Sequence, residues 1–212
     1  MAEQIEHDVG DQLEPGGRAA APGRLVLVQH FINTWNCEFP TDRLETLRSA
    51  AAWLYESKLS RNLAEANRLQ PSDLARLREL REAVRALATA NVTGMCDPAS
   101  LEVIRSAAAA APMIVTIDDD RRTHIEPDCS GVDGVVATII AILHEAQLAG
   151  DWVRLKACRQ CGYAFYDRSK NRSATWCSMS ICGNRSKNRA YYQRQRTSDQ
   201  PPDGRTRTKE IL

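Results

Sequence analysis

Near the end of this 212-residue chain stand four cysteines whose spacing could hold a metal: Cys158, Cys161, Cys177 and Cys182. They form two short-spaced pairs, the first with two residues between its members and the second with four, joined by a loop of fifteen. That is the pattern of a structural zinc site with four thiolate ligands. Each pair makes a tight turn that presents two sulfurs to one ion, and Gly162 after the first pair suits the left-handed backbone of such a turn. With sulfur at all four positions no place remains for a water, so one structural Zn2+ is expected and metal-based catalysis is not. An iron–sulfur cluster can use the same ligands and stays open as an alternative. Four thiolates around Zn2+ leave a charge of −2, which Arg159, Lys156 and their neighbours would offset.

The residues around these cysteines carry a second kind of chemistry. The pentapeptide RSKNR occurs twice, at 168–172 and 185–189. Cations alternating with small hydrogen-bonding side chains are suited to phosphates, and Arg and Asn also match guanine and adenine edges. The candidate nucleic-acid contacts are Arg168, Lys170, Arg172, Arg185, Lys187, Asn188, Arg189, Arg194 and Arg196. If residues 183–196 are helical, Arg185, Arg189 and Gln193 share a face. A merely solvated basic surface is the competing reading. Tyr163, Phe165, Tyr166 and Trp176 could stack on unpaired bases, but they are read first as the small core that a module of this size needs.

Residues 151–196 hold eleven Lys and Arg against two Asp, whereas the whole chain carries only +1. A basic end on an acidic body points to a polyanionic partner at that end. No unbroken run of about 18 apolar residues is present, so no membrane span is expected. The acidic N-terminus lacks a secretory pattern, and a cytoplasmic, nucleoid-associated protein is expected. Cys37, Cys96 and Cys129 are scattered and read as ordinary core or surface residues. His30, His124 and His144 are likewise isolated. No nucleophile triad, phosphate-binding glycine loop or His-Glu metal motif stands in a credible context, so an enzyme is not expected. The Asp118–Asp120 run reads as a solvated turn.

The elements that must position the cysteines follow from periodicity and caps. Residues 1–23 are read as a disordered leader, with order beginning at Leu25 as a strand or a helix. Asp42 and Glu45 have the form of a capping box before a helix bearing Leu44, Leu47, Ala51 and Leu54 on one face. A second helix starts after Pro71 with Ser72 as cap, its stripe being Leu74, Leu77, Leu80, Val84 and Leu87. Asp97-Pro98 opens a third helix that runs to Ala111. MIVTI and THIEP read as a hairpin, and the apolar segment after Ser130 as a buried helix ending at Gly150. The expected fold is α+β: a mostly helical N-terminal domain with a small hairpin, 24–150, then a four-cysteine module, 151–196, and a disordered tail, 197–212.

The stretch YDRSKNRSATWCSMSICGNRSKNRAYYQR, with the opening ACRQCGYAFYDRS, resembles the CGNR zinc-finger family, whose motif stands here as Cys182-Gly183-Asn184-Arg185. The segment LVQHFINTWN and the helix containing LRSAAAWL look like the start of the ABATE domain that usually precedes this finger. His30 stands where that family commonly has Asp or Asn. The resemblance implies a bacterial transcription regulator with the finger on double-stranded DNA and the N-terminal domain sensing a small-molecule effector or forming a homodimer. An RNA-binding accessory protein and a protein-interaction module braced by zinc are the alternatives. Loss of one cysteine is expected to unfold the C-terminal module and leave the body folded.

Overall fold

The computed structural model describes residues 13–14, 17–35 and 41–189. Arg194, Arg196 and the tail 197–212 lie outside the described residues. The order is β1 (Leu13–Glu14), β2 (Arg18–Ala19), α1 (Leu25–Ile32), α2 (Leu47–Glu56), α3 (Leu63–Ala66), α4 (Pro71–Thr93), α5 (Pro98–Ala110), β3 (Met113–Ile117), β4 (Thr123–Pro127), α6 (Gly131–Ala149), β5 (Leu155–Ala157) and β6 (Ala164–Tyr166). Three antiparallel two-stranded sheets, β1–β2, β3–β4 and β5–β6, accompany the helices.

Helix α4 is the centre of the body, packing on α1, α2, α5, α6 and β5. Leu74, Leu77, Leu80, Val84 and Ala88 bury one stripe of it, and Leu87 packs half-buried beside them. Pro71 occupies the first turn, where a missing N–H costs nothing. The cap differs from the expectation: Gln70 precedes the helix, and Asp73 reaches back to the Gln70 N–H at 2.9 Å. The α2 cap also differs. Thr46 and Ser49 form the box, while Asp42 accepts from the Leu44 N–H and from both terminal nitrogens of Arg81. That carboxylate thus serves a buried arginine and the Leu44 N–H ahead of the helix, and leaves the helix start to Thr46. Asp97 caps α5 as expected, and Gly150 ends α6 at φ 75°.

α6 is, among the described residues, the one helix long and apolar enough to cross a membrane by length and composition. In this fold Val135, Val136, Ala137, Ile139, Ala141, Ile142, Leu143 and Ala146 are buried in the protein interior. LVLVQHFI is helical, not extended, because Leu25, Val28, Phe31 and Ile32 at helical spacing enter the same core.

The leader was expected to be disordered through residue 23, and residues 1–12 lie outside the described residues. Residues 17–23 are ordered. Ala20 and Ala21 are buried, β2 runs beside β6, and Gln29 accepts from the Ala21 N–H at 2.7 Å while donating to Ala19. Composition hid this because the anchoring group sits eight residues away on α1.

Nor does the charge switch at Gly150-Asp151 separate two cores. One face of the β5–β6 hairpin, Leu155, Ala157 and Ala164, belongs to the helical core together with Trp152. The other face, through Phe165, joins the cysteine cluster. Leu155→Ala therefore removes a fully buried side chain from the core of the whole unit, at about 2–5 kcal/mol. Denaturant unfolding followed by far-UV dichroism and by zinc release should show one coincident transition shifted to lower denaturant. Two separated transitions would show independent domains instead.

Candidate metal centre and nucleic-acid interface

The β5–β6 hairpin leads into and out of the first cysteine pair. Cys158 N–H donates to the Tyr163 carbonyl at 2.9 Å and Gly162 N–H to the Cys158 carbonyl at 2.8 Å, closing a tight knuckle. Gly162 has φ 71°, the left-handed conformation expected there. Of the second pair, Cys177 stands just before a π-helical turn, Met179–Gly183, and Cys182 lies within it; the start of the turn is capped by Ser178 accepting from the Ile181 N–H. A Cβ on Gly183 would lie 2.5 Å from the sulfur of Met179, an exposed and flexible side chain that would have to swing aside. Asn184 ties the turn down by donating to the Ser180 carbonyl at 3.0 Å. Residues 184–189 continue as helix.

These turns bring all four sulfurs within 4.8 Å of one another, and all four cysteines are buried. The Cys161–Cys177, Cys177–Cys182 and Cys161–Cys182 separations are 3.5, 3.7 and 3.6 Å. A regular tetrahedron with Zn–S of about 2.3 Å requires sulfurs about 3.8 Å apart. The cluster also calls for a cation electrostatically. Hydrogen bonds from Cys161 and Cys177 pull the Cys158 thiol well below its ordinary value. The Cys158 thiolate in turn pushes Cys161 and Cys177 up, and burial pushes Cys182 up. Four sulfurs packed this closely can all be thiolates only around a cation, because each negative charge disfavours the next and a dication offsets them. The donor set fits a single structural zinc, with no ligand position left over.

Tyr163 and Phe165 are buried and pack with the cysteines, together with the half-buried Trp176 and Ile181. They are the module's small core, as expected. Tyr166 donates from its hydroxyl to Asp151 at 2.8 Å. The surprise is Arg18, which lies over the Tyr163 ring at 4.3 Å and hydrogen-bonds to Cys177. A residue assigned to the leader thus helps offset the cluster's negative charge.

Lys156 was counted among the cations that offset the zinc site, and the structure gives it another task. Its ammonium, buried, donates to Asp167 at 2.7 Å and to the carbonyls of Arg172 and Ala174. Burial alone would raise the Asp167 carboxyl, but Lys156 and the N–H groups of Ser169 and Ala174 bring it down to about 2. Against about 3.9 in an unfolded chain, the stabilisation is complete above that value and fades as pH falls through about 2. Arg154 adds bonds to the carbonyls of Asp167 and Ser169. The loop carrying the first RSKNR is therefore shaped from inside, and Arg172 is held at φ 51°.

Of the candidate nucleic-acid contacts, Arg168, Lys170, Arg172, Arg185, Lys187, Asn188 and Arg189 are exposed. The first three stand on the braced loop and the last four on the helix after the π-turn. Arg168 also reaches the Ala20 carbonyl at 3.5 Å.

Polar side chains that sequence reasoning passed over join this module to the body. Asn33 donates to the Ala164 carbonyl and accepts from its N–H, at 2.9 and 2.8 Å. Arg85 donates to Gly162 in the first knuckle at 2.6 Å and to Ile32 and Trp35 at the end of α1. Asn91 donates to Trp152 and Leu155. The available signal was a polar residue inside an otherwise apolar run, as Gln29 and Asn33 are in LVLVQHFINTW.

Comparison with known proteins gives two family matches. The ABATE model, described as "Putative stress-induced transcription regulator", matches residues 25–157, and the CGNR zinc-finger model matches residues 154–195. The two overlap on β5, one strand of the hairpin that joins the helical core to the cysteine cluster. No curated protein matches the chain.

Two substitutions test the site. Cys177→Ser should lower bound zinc well below one per chain and, through the shared hairpin, lower the thermal midpoint of the helical signal as well. A helical midpoint unchanged by zinc loss would mean that the metal braces only its own module. Asp167→Asn leaves the Lys156 ammonium buried without its counter-charge, at a cost of about 3–5 kcal/mol. Denaturant unfolding of this variant should show that loss, and stability within about 0.5 kcal/mol of wild type would remove the pair from its bracing role.

Proposed function

The chain belongs to the ABATE family and carries a CGNR zinc finger, and from that premise we propose that this zinc-binding regulator acts by gripping double-stranded DNA through its finger. The observation that carries the reading is the placing of both RSKNR repeats. They are exposed on two different elements of one metal-braced scaffold. The loop repeat suits phosphates, because its backbone is held by Lys156 and Asp167 while its cations face solvent. The helical repeat suits base edges, with Arg185 and Arg189 four residues apart on one face. In sequence, Arg194 and Arg196 add two further cations within seven residues of Arg189. Burial of Tyr163 and Phe165 weighs against base stacking, and so against the single-stranded RNA alternative.

In the same reading the helical body receives the signal. An open groove of about 620 Å³ between α4, α5 and α6, lined by Leu80, Val103, Ala107 and Val136 with Arg76 and Glu79, has the size of a small-effector site. Arg85 and Asn33 would pass a shift in the body directly to the first knuckle. A regulator of this kind works on the nucleoid in the cytoplasm, and a dimer would double the short contact that one finger makes.

Selection from random double-stranded DNA with the zinc-loaded full chain should enrich a motif. Arg185→Ala should then weaken binding by about 1–3 kcal/mol and relax one position of that motif. Lys170→Ala should weaken all sequences alike and flatten the salt dependence. A pool bound without enrichment would reduce the finger to a backbone grip. No binding by fully zinc-loaded protein would overturn the DNA reading.

A further inference from the structure

Among the described residues, the β3–β4 hairpin stands apart from the finger and no strand pairs with the outer side of β3. β4 packs on α6, while β3 forms the outer edge. Ile114, Val115 and Ile117 on β3 are 43, 69 and 71% exposed. An isolated two-stranded hairpin is marginal in water, and an open apolar edge is a template for another strand. β4 carries Glu126 and ends in Pro127, residues that blunt an edge, but β3, MIVTI, carries neither charge nor proline.

The hydrogen-bond parity of β3 determines what can add to it. Asp128 N–H donates to the Pro112 carbonyl and Asp118 N–H to the Arg122 carbonyl. With Val115 opposite Ile125, the even-numbered residues of β3 occupy the hydrogen-bonded pairs with β4. The N–H and C=O groups of Met113, Val115 and Ile117 therefore point outward. A two-fold axis through Val115 sets Val115 against its own copy and Met113 against Ile117 of the second copy. Every outward donor then meets an outward acceptor, and the exposed Val115 and Ile117 lie beside Met113 on one face. A closed homodimer requires such an antiparallel, self-matching contact.

We propose that β3 is a homodimerisation edge, joining two copies of this chain into a continuous four-stranded antiparallel sheet centred on Val115. The size of the contact sets its strength. Five paired residues span about 17 Å and cover less than the roughly 800 Å² per partner of a standard interface. The dimer is therefore reversible, with a Kd on the order of 10 µM. It does not depend on the finger binding DNA.

Sedimentation of the zinc-loaded full chain across that concentration range tests it. Wild type should pass from monomer to dimer. Val115→Lys places two ammonium groups together at the axis, and Ile117→Lys breaks the flanking pair. Each should raise the Kd at least about tenfold, with zinc content and dichroism unchanged because both side chains are exposed. Glu126→Lys, on the strand facing α6, should leave the dimer intact. A wild-type monomer throughout, or a dimer indifferent to both β3 lysines, overturns the proposal. So does capture of β3 by an unrelated extended peptide with no self-association.

Discussion

Everything else in this molecule depends on one three-residue strand pair having two buried faces. Along β5 and β6 successive side chains alternate between the helical core and the metal cluster. Leu155, Ala157 and Ala164 face α4 and its neighbours, whereas Lys156 and Phe165 face the finger. A strand buried on both sides cannot slip by a residue, because a slip would exchange the two sets. The hairpin therefore sets the first cysteine pair, through that pair the zinc, and through the zinc the elements that carry the exposed cations.

Polar side chains make this joint directional. Gln29, Asn33, Arg85 and Asn91 each end on backbone groups of the hairpin, the knuckle or the strap at Ala19 to Ala21. Hydrogen bonds contribute modest net stability, but buried groups left without partners are costly. Such contacts therefore act chiefly to permit one arrangement of finger on body. Arg85 is the most demanding of them. It is 8% exposed and spends its donors on Glu82, Ile32, Trp35 and Gly162, so α1, α4 and the knuckle cannot move independently.

The basic end of the chain divides by task. Arg154 and Lys156 turn inward and shape a loop, and Arg18 joins them from the other end of the chain. Arg168, Lys170, Arg172, Arg185, Lys187 and Arg189 face solvent. Net charge over a segment counts both groups alike, and only the second is available to a polyanion. The separation relies on Asp167, whose buried carboxylate is stabilised by the Lys156 ammonium and by the N–H groups of Ser169 and Ala174.

Much was legible in the residues themselves. The cysteine spacing specifies a four-sulfur site because a short spacer closes a knuckle whatever surrounds it. Asp97-Pro98, Gly150 and the alternating hairpin strands mark their elements because caps and pleats are local chemistry. What stayed hidden depends on partners distant in sequence. Asp42 abandons its helix for Arg81, 39 residues away. Arg18 finds Tyr163 and Cys177, and Asn33 finds Ala164, 131 residues on. Periodicity over LVLVQHFI could not choose helix over strand, and a charge switch at Gly150 does not tell that one hairpin packs on both the helical core and the cysteine cluster. The sequence by itself thus determined which ligands and local elements exist. The tertiary structure decided that body and finger share one hairpin, because only packing in three dimensions shows which face of a strand meets which core.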